Sequence, residues 1–127
     1  MMHALLIFLG GGLGSLARWS LSLGVQQVME KTALQRFPIG IFTCNILGCF
    51  LIGCLFGYFT NRNTPEWVFP FLATGFLGGF TTFSTFAQNG HELWTSGMTG
   101  AALIKLIGSV VIGVIAVWAG IKLTHTA

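Results

Sequence analysis

The chain has 127 residues, of which 54% are hydrophobic and only 7% are charged. A soluble domain carries roughly 25% charged residues, so a water-facing fold of this size would lack the polar surface it needs. The composition instead predicts a polytopic membrane protein forming a single domain, residues 1–127. The net charge of +3 is spread along the chain without a basic stripe, which argues against nucleic-acid binding.

The N-terminal apolar run follows Met1, Met2 and His3 with no basic region ahead of it. It continues too far for a cleaved leader, so it is read as a first transmembrane helix, roughly residues 4–25. Gly10 and Gly14 share one face and invite close approach by a neighbouring helix. Arg18 lies one turn further on. A charge at the centre of a membrane helix costs at least about 2.5–3.5 kcal/mol, so it needs a reason. Two are open: snorkelling or structural pairing, and attraction of an anion.

A polar loop carrying Glu30, Lys31 and Arg36 leads to Pro38, which opens a second helix at about residues 38–59. Gly48, Gly53 and Gly57 again favour close contact, and Asn45 is the one strongly polar side chain in the run. It suits either an interhelical hydrogen bond or a pore-lining donor. Cys44, Cys49 and Cys54 recur every five residues and share no helix face, so they read as small buried hydrophobes. His3, His91 and His125 have no metal-ligand spacing.

After a turn-rich stretch containing Asn61, Arg62, Asn63 and Pro65, Trp67 marks a membrane interface. The third helix is expected over roughly residues 67–94, broken near 76–81. The stretch 75–86, GFLGGFTTFSTF, joins three glycines to four hydroxyl residues and four phenylalanines. A lipid-facing helix needs neither glycine pairs nor clustered hydroxyls, and non-helical backbone at membrane depth is tolerated only inside protein or beside water. Freed carbonyls at such a break suit a bound cation, and two copies meeting there would supply four or more oxygens. Phe83 and Phe86 lie on neighbouring faces. They fit plain core packing, or ring edges offering weak positive potential.

The fourth helix is expected over about 97–123, with Lys105, Ser109 and Gly113 forming a small or polar row at i, i+4, i+8. Lys105 lies only slightly inside an interface and has an easy snorkelling route. With four spans, Arg62 and Lys122 face one side and Lys31 and Arg36 the other, so the positive-inside rule fixes no orientation. A weak bias is compatible with insertion in both directions.

The spans carry no acid away from their ends; Glu30, Glu66 and Glu92 lie in loops or at span ends. That argues against a membrane enzyme and against a cation- or proton-coupled exporter, which needs an intramembrane carboxylate. What remains is a set of uncharged donors, Asn45, Thr81, Thr82, Ser84, Thr85 and Ser109, with Arg18 and Lys105 as cations. Such a set suits an anion. A non-conducting assembly subunit is the competing reading, and it accounts for the glycine faces but not for the donors.

At GGFTTFSTF the chain resembles the Fluc (CrcB) family of fluoride channels. The likeness extends to Leu16-Ala17-Arg18-Trp19, Pro38-x-Gly40, Asn45-x-x-Gly48 and Ala116-Val117-Trp118-x-Gly120. The resemblance implies an all-α membrane protein of four transmembrane helices with the third broken at its middle. It further implies an antiparallel, dual-topology homodimer with two pores for passive fluoride export through the bacterial cytoplasmic (inner) membrane. By the same resemblance Phe83 and Phe86 line the pores across the dimer, Asn45 lines them too, and Thr82, Ser84 and Thr85 are their hydroxyl-bearing neighbours. Ser109 continues the polar track, and Arg18 lies near an aqueous vestibule. Backbone carbonyls of Gly78 and Thr81 hold a structural Na⁺ at the dimer centre. One departure stands out: Lys105 occupies a place where the family commonly has tyrosine, and Gly113 replaces a serine of the track. Lys105 is then either a vestibule group attracting anions or a snorkelled surface cation.

Overall fold

The computed structural model describes residues 1–33 and 37–125. Arg36, counted above among the loop cations, lies outside the described residues. Among the described residues all regular secondary structure is helical. Helix α1 spans Met2–Met29 and α2 spans Ile39–Phe59. A π-helical stretch, Phe69–Leu77, runs directly into a short α3, Gly78–Phe80. Helices α4, Phe83–Thr95, and α5, Thr99–Thr124, complete the chain. By length and composition three of these helices, α1, α2 and α5, are long and apolar enough to cross a membrane. Both α1 and α5 outrun the expected spans of 4–25 and 97–123 at their far ends.

The helices pack through glycine rather than through large interdigitating side chains. A Cβ added to Gly10 would meet the backbone of Phe71 and Phe76, and one on Gly14 would meet Phe76 O. The α1 glycines therefore seat this helix directly on the π-helical stretch. Helices α2 and α5 are joined the same way: Gly53 faces the Val117 backbone, and Gly120 faces Phe50 O and the Cys54 amide. Thr124 Oγ1 adds a cross-helix hydrogen bond to Cys54 O at 2.8 Å. In lipid, apolar burial gives no drive for association, so close backbone approach and dispersion do the holding.

The outer faces match that medium. Phe8, Leu16 and Trp19 on α1, and Ile104, Ile107, Val114 and Trp118 on α5, are all exposed. Apolar patches of this extent mark a membrane-facing surface. The chain is a multi-pass membrane protein.

The glycine pair in the third segment predicts a break near 76–81, but residues 77–80 are helical. The backbone leaves helical geometry at Thr81 (φ −93°, ψ 158°) and Thr82 (φ −149°, ψ 124°), and helix starts again at Phe83. Gly79 serves close packing instead. Its hydrogen lies where a Cβ would strike Gly11 O, so it lets α3 touch α1.

Candidate functional site

The two extended residues set the geometry of the site. Asn45, from α2, grips Thr82 with both ends of its amide. Its Oδ1 accepts from the Thr82 N–H at 2.8 Å, and its Nδ2 donates to Thr82 O at 3.0 Å. Arg18, from α1, donates from Nη1 to Thr81 O at 3.2 Å. An unpaired backbone group in hydrocarbon costs several kcal/mol, so these two side chains are what permits a non-helical pair between α3 and α4. Both are paired to backbone in the chain interior, and one Asn45 amide hydrogen remains for another acceptor.

Thr82 is also the N-cap of α4. Its Oγ1 accepts from the Thr85 N–H at 3.3 Å, which satisfies one of the orphan donors of the first turn. The same oxygen lies 3.2 Å from Ser84 Oγ and 3.4 Å from Thr85 Oγ1. Three hydroxyls thus share one small network at the start of α4.

An open groove of about 410 Å³ runs along this joint. Asn45, Gly78, Thr81, Thr82, Phe83, Phe86 and Ser109 all line it, together with Gly48, Cys49 and apolar neighbours. Of the anticipated site residues, seven therefore meet on one surface, contributed by several elements. The Phe83 and Phe86 rings are 5.8 Å apart and inclined at 45°. Phe83 is 79% exposed, so its ring stands out from the chain and is not core packing. Ser84, Thr85, Arg18 and Lys105 do not line the groove. Lys105 Nζ is buried and has no hydrogen-bond partner among the described residues.

Two carbonyls bear on the expected cation. In an unbroken helix the Thr82 N–H would bond Gly78 O, but here it turns to Asn45 Oδ1. That releases the Gly78 carbonyl from its natural partner. A Cβ on Gly78 would have nothing nearer than Ala73 O at 3.7 Å, so the ground in front of this residue is open. Thr81 O accepts from Arg18 but keeps a second lone pair. Neutral backbone oxygens are the ligand type a hard cation takes, provided that further oxygens come from outside the chain.

One residue escaped the sequence reading. Asn89 Nδ2 is buried without a hydrogen-bond partner, as are Lys105 Nζ and Ser109 Oγ. The available signal was Thr85 and Asn89 at i and i+4, one face of a single helix.

Neither carboxylate nor imidazole lines the groove. The fold defines a small multi-pass membrane protein, and its groove sets amide and hydroxyl groups beside two phenylalanine rings. The chain belongs to the CrcB family, whose model, described as "CrcB-like protein, Camphor Resistance (CrcB)", matches residues 5–121. Several similar proteins carry the name "Fluoride-specific ion channel FluC". That of Phocaeicola vulgatus is 40% identical over 125 residues, 98% of this chain and 100% of its own length. That of Solibacter usitatus is 41% identical over 126 residues, 98% and 99% of the two lengths. That of Salmonella arizonae is 43% identical over 121 residues, 90% of each. The family is one of ion channels, not of enzymes.

Proposed function

We propose that this chain is a fluoride-selective channel that works as an antiparallel, dual-topology homodimer in the bacterial cytoplasmic membrane and lets fluoride leave the cell passively through two pores. The observation that carries the reading is the groove. It collects Asn45, Thr82, Phe83, Phe86 and Ser109 on one surface and leaves the Phe83 ring uncovered. The likeness to proteins named fluoride-specific ion channels supports the choice of ion.

Fluoride holds its water strongly, so a narrow path must replace that water with directed donors. The spare Asn45 amide hydrogen and the Thr82 and Ser109 hydroxyls provide them, the Ser84 and Thr85 hydroxyls support Thr82 from within hydrogen-bond distance, and ring edges of Phe83 and Phe86 bridge the apolar gap between them. Several weak sites in series suit conduction better than one tight site. A second, inverted copy laid on the groove would cover Phe83 and close the wall. It would also bring its own Gly78 and Thr81 carbonyls towards those of the first. These four carbonyls would hold a structural Na⁺, which supplies charge to cross-link the two joints. The third segment, interrupted at Thr81 and Thr82, then serves as the fourth span.

Fluoride efflux from liposomes tests the reading. Fast release without a proton gradient is expected from the wild type, and Phe83→Ile or Phe86→Ile should lower it at least about tenfold, equivalent to roughly 1.4 kcal/mol. Wild-type release that is slow and needs a gradient, or that survives at full speed in both variants, would sink the proposal.

A further inference from the structure

We infer that the π-helical stretch Phe69–Leu77 is a register device: the residue it holds in excess of an α-helix decides that Gly78 and Thr81 face the groove while Gly79 faces α1. The geometry stands without the fluoride reading. Its consequence for the cation rests on that reading. Hydrogen bonds locate the surplus. The Phe71 N–H donates to Trp67 O, four residues back. The Gly78 N–H donates to Ala73 O, five back. The Thr81 N–H returns to Leu77 O, four back. Bonds of α type thus bracket a wider turn, as when a helix takes up an extra residue. Both faces of the segment record the same step. Towards α1 lie Phe71, then Gly75 and Phe76 around Gly10, then Phe80 at Gly14 and Gly79 at Gly11. Towards the groove lie Ala73, then Leu77 and Gly78, then Thr81 and Thr82. On each face a step of four or five residues is followed by one of about four.

An unbroken α-helix through the same residues would reverse the assignment. Seven residues fall only about 20° short of two turns, so Gly78 would stand over Phe71, against α1, and Gly79 would turn aside. The opposite is found. A Cβ on Gly79 would strike Gly11 O, whereas one on Gly78 would meet nothing nearer than Ala73 O at 3.7 Å. The wide turn therefore turns the joint by one residue, about 100°. Undone without loss of a residue, that rotation would press Gly78 into α1 and carry Thr82 away from Asn45 on α2. The carbonyls of Gly78 and Thr81 would no longer share the open face where a second copy could add its own. Thr74 is exposed and belongs to neither face, so it is the residue the stretch can lose. With Thr74 deleted, Gly75 and Phe76 stand three and four residues after Phe71, the α-helical spacing of one face. The stretch can then close with α-type bonds and leave Gly78 and Gly79 where they are. A residue added at the same point has no such outlet and rotates the joint.

The test uses the full-length chain in detergent and reads the register from the two glycines. Gly78→Ala and Gly79→Ala are compared by thermal unfolding at low protein concentration in three backgrounds: wild type, Thr74 deleted, and one alanine inserted after Thr74. In wild type Gly79→Ala should lower the midpoint by on the order of 5 °C or more, and Gly78→Ala should leave it nearly unchanged. The Thr74 deletion should fold and keep that order. The insertion should either lose the folded state or make Gly78→Ala the costlier change. A deletion that does not fold or that reverses the order, or an insertion that keeps it, overturns the register device. The cation is followed separately, as the rise of the midpoint in NaCl over choline chloride at equal ionic strength. That rise should persist in the deletion and vanish in the insertion. A deletion that keeps the glycine order yet loses a Na⁺ response present in wild type overturns the positioning role. A wild type without any Na⁺ response sinks the cation reading, while the glycine order still judges the register.

Discussion

Two polar regions lie within one helical turn or two of each other, and they are built on opposite terms. At the joint, the Thr82 amide, the Thr82 carbonyl and the Thr81 carbonyl are each held by a side chain from another helix. Further along α4 and α5, Asn89 Nδ2, Lys105 Nζ and Ser109 Oγ are buried with no hydrogen-bond partner among the described residues, and Lys105 has only the more distant charge of Glu92. In hydrocarbon both arrangements are costly unless every group finds a partner. The joint has met its backbone needs internally and keeps one Asn45 amide hydrogen to spare. The other three atoms have found no hydrogen bond.

The contrast can be broken most forcefully at Asn45. Asn45→Leu removes the partner of two backbone groups, and at about 1–3 kcal/mol for each buried group left unsatisfied it should leave little folded protein. Thermal unfolding and size-exclusion in detergent would show it; a variant as stable as wild type would mean that the joint does not depend on the clamp. Gly79→Ala comes next. Its methyl would be driven into the Gly11 backbone, where overpacking costs about 1–3 kcal/mol, whereas Gly78→Ala meets open space within the chain. The two neighbours should thus diverge: Gly79→Ala lowers the stability of the chain itself, and Gly78→Ala harms only dimerisation if a second copy covers that face. Arg18→Gln removes a single charge-assisted hydrogen bond, with a loss on the order of 1.5 kcal/mol, read as a lower unfolding midpoint. The smallest effect is expected at Lys105. Lys105→Met loses no hydrogen bond, only the attraction between Glu92 and the ammonium, so its stability should stay close to that of wild type. A clear loss would show that the ammonium is structural after all.

Much of this architecture was legible in the chain. The spans could be drawn because bilayer thickness fixes how many apolar residues a helix needs, and the hydroxyl-rich stretch marked where the third segment becomes irregular. The location of the irregularity within that stretch was not legible. Glycine pairs look like helix breakers by propensity, yet Gly79 is used for contact with Gly11, and the residues that turn are the threonines which Asn45 and Arg18 can reach. That choice belongs to tertiary pairing across 37 and 63 residues of sequence, which no local pattern records. Arg18 and Asn45 stood out correctly as polar groups needing a reason, but whether backbone or solute provides it depends on distances. Asn89 was missed because it follows the motif as an ordinary helix residue; only the burial of its amide nitrogen sets it apart. Lys105 was placed near an interface by counting residues, and counting does not show that neighbouring helices enclose its amine.

The clamp at Thr82 also has an order in time. Synthesis runs from the N-terminus, so Arg18 and Asn45 have both been made before Thr81 and Thr82 emerge. The anchors of the least regular backbone in the molecule are thus already waiting when that backbone reaches the bilayer, and the joint can close while α5 is still on the ribosome. A chain halted after Thr95 contains every group that holds the joint, whereas Ser109 arrives last and adds its hydroxyl to a wall whose other residues are already made.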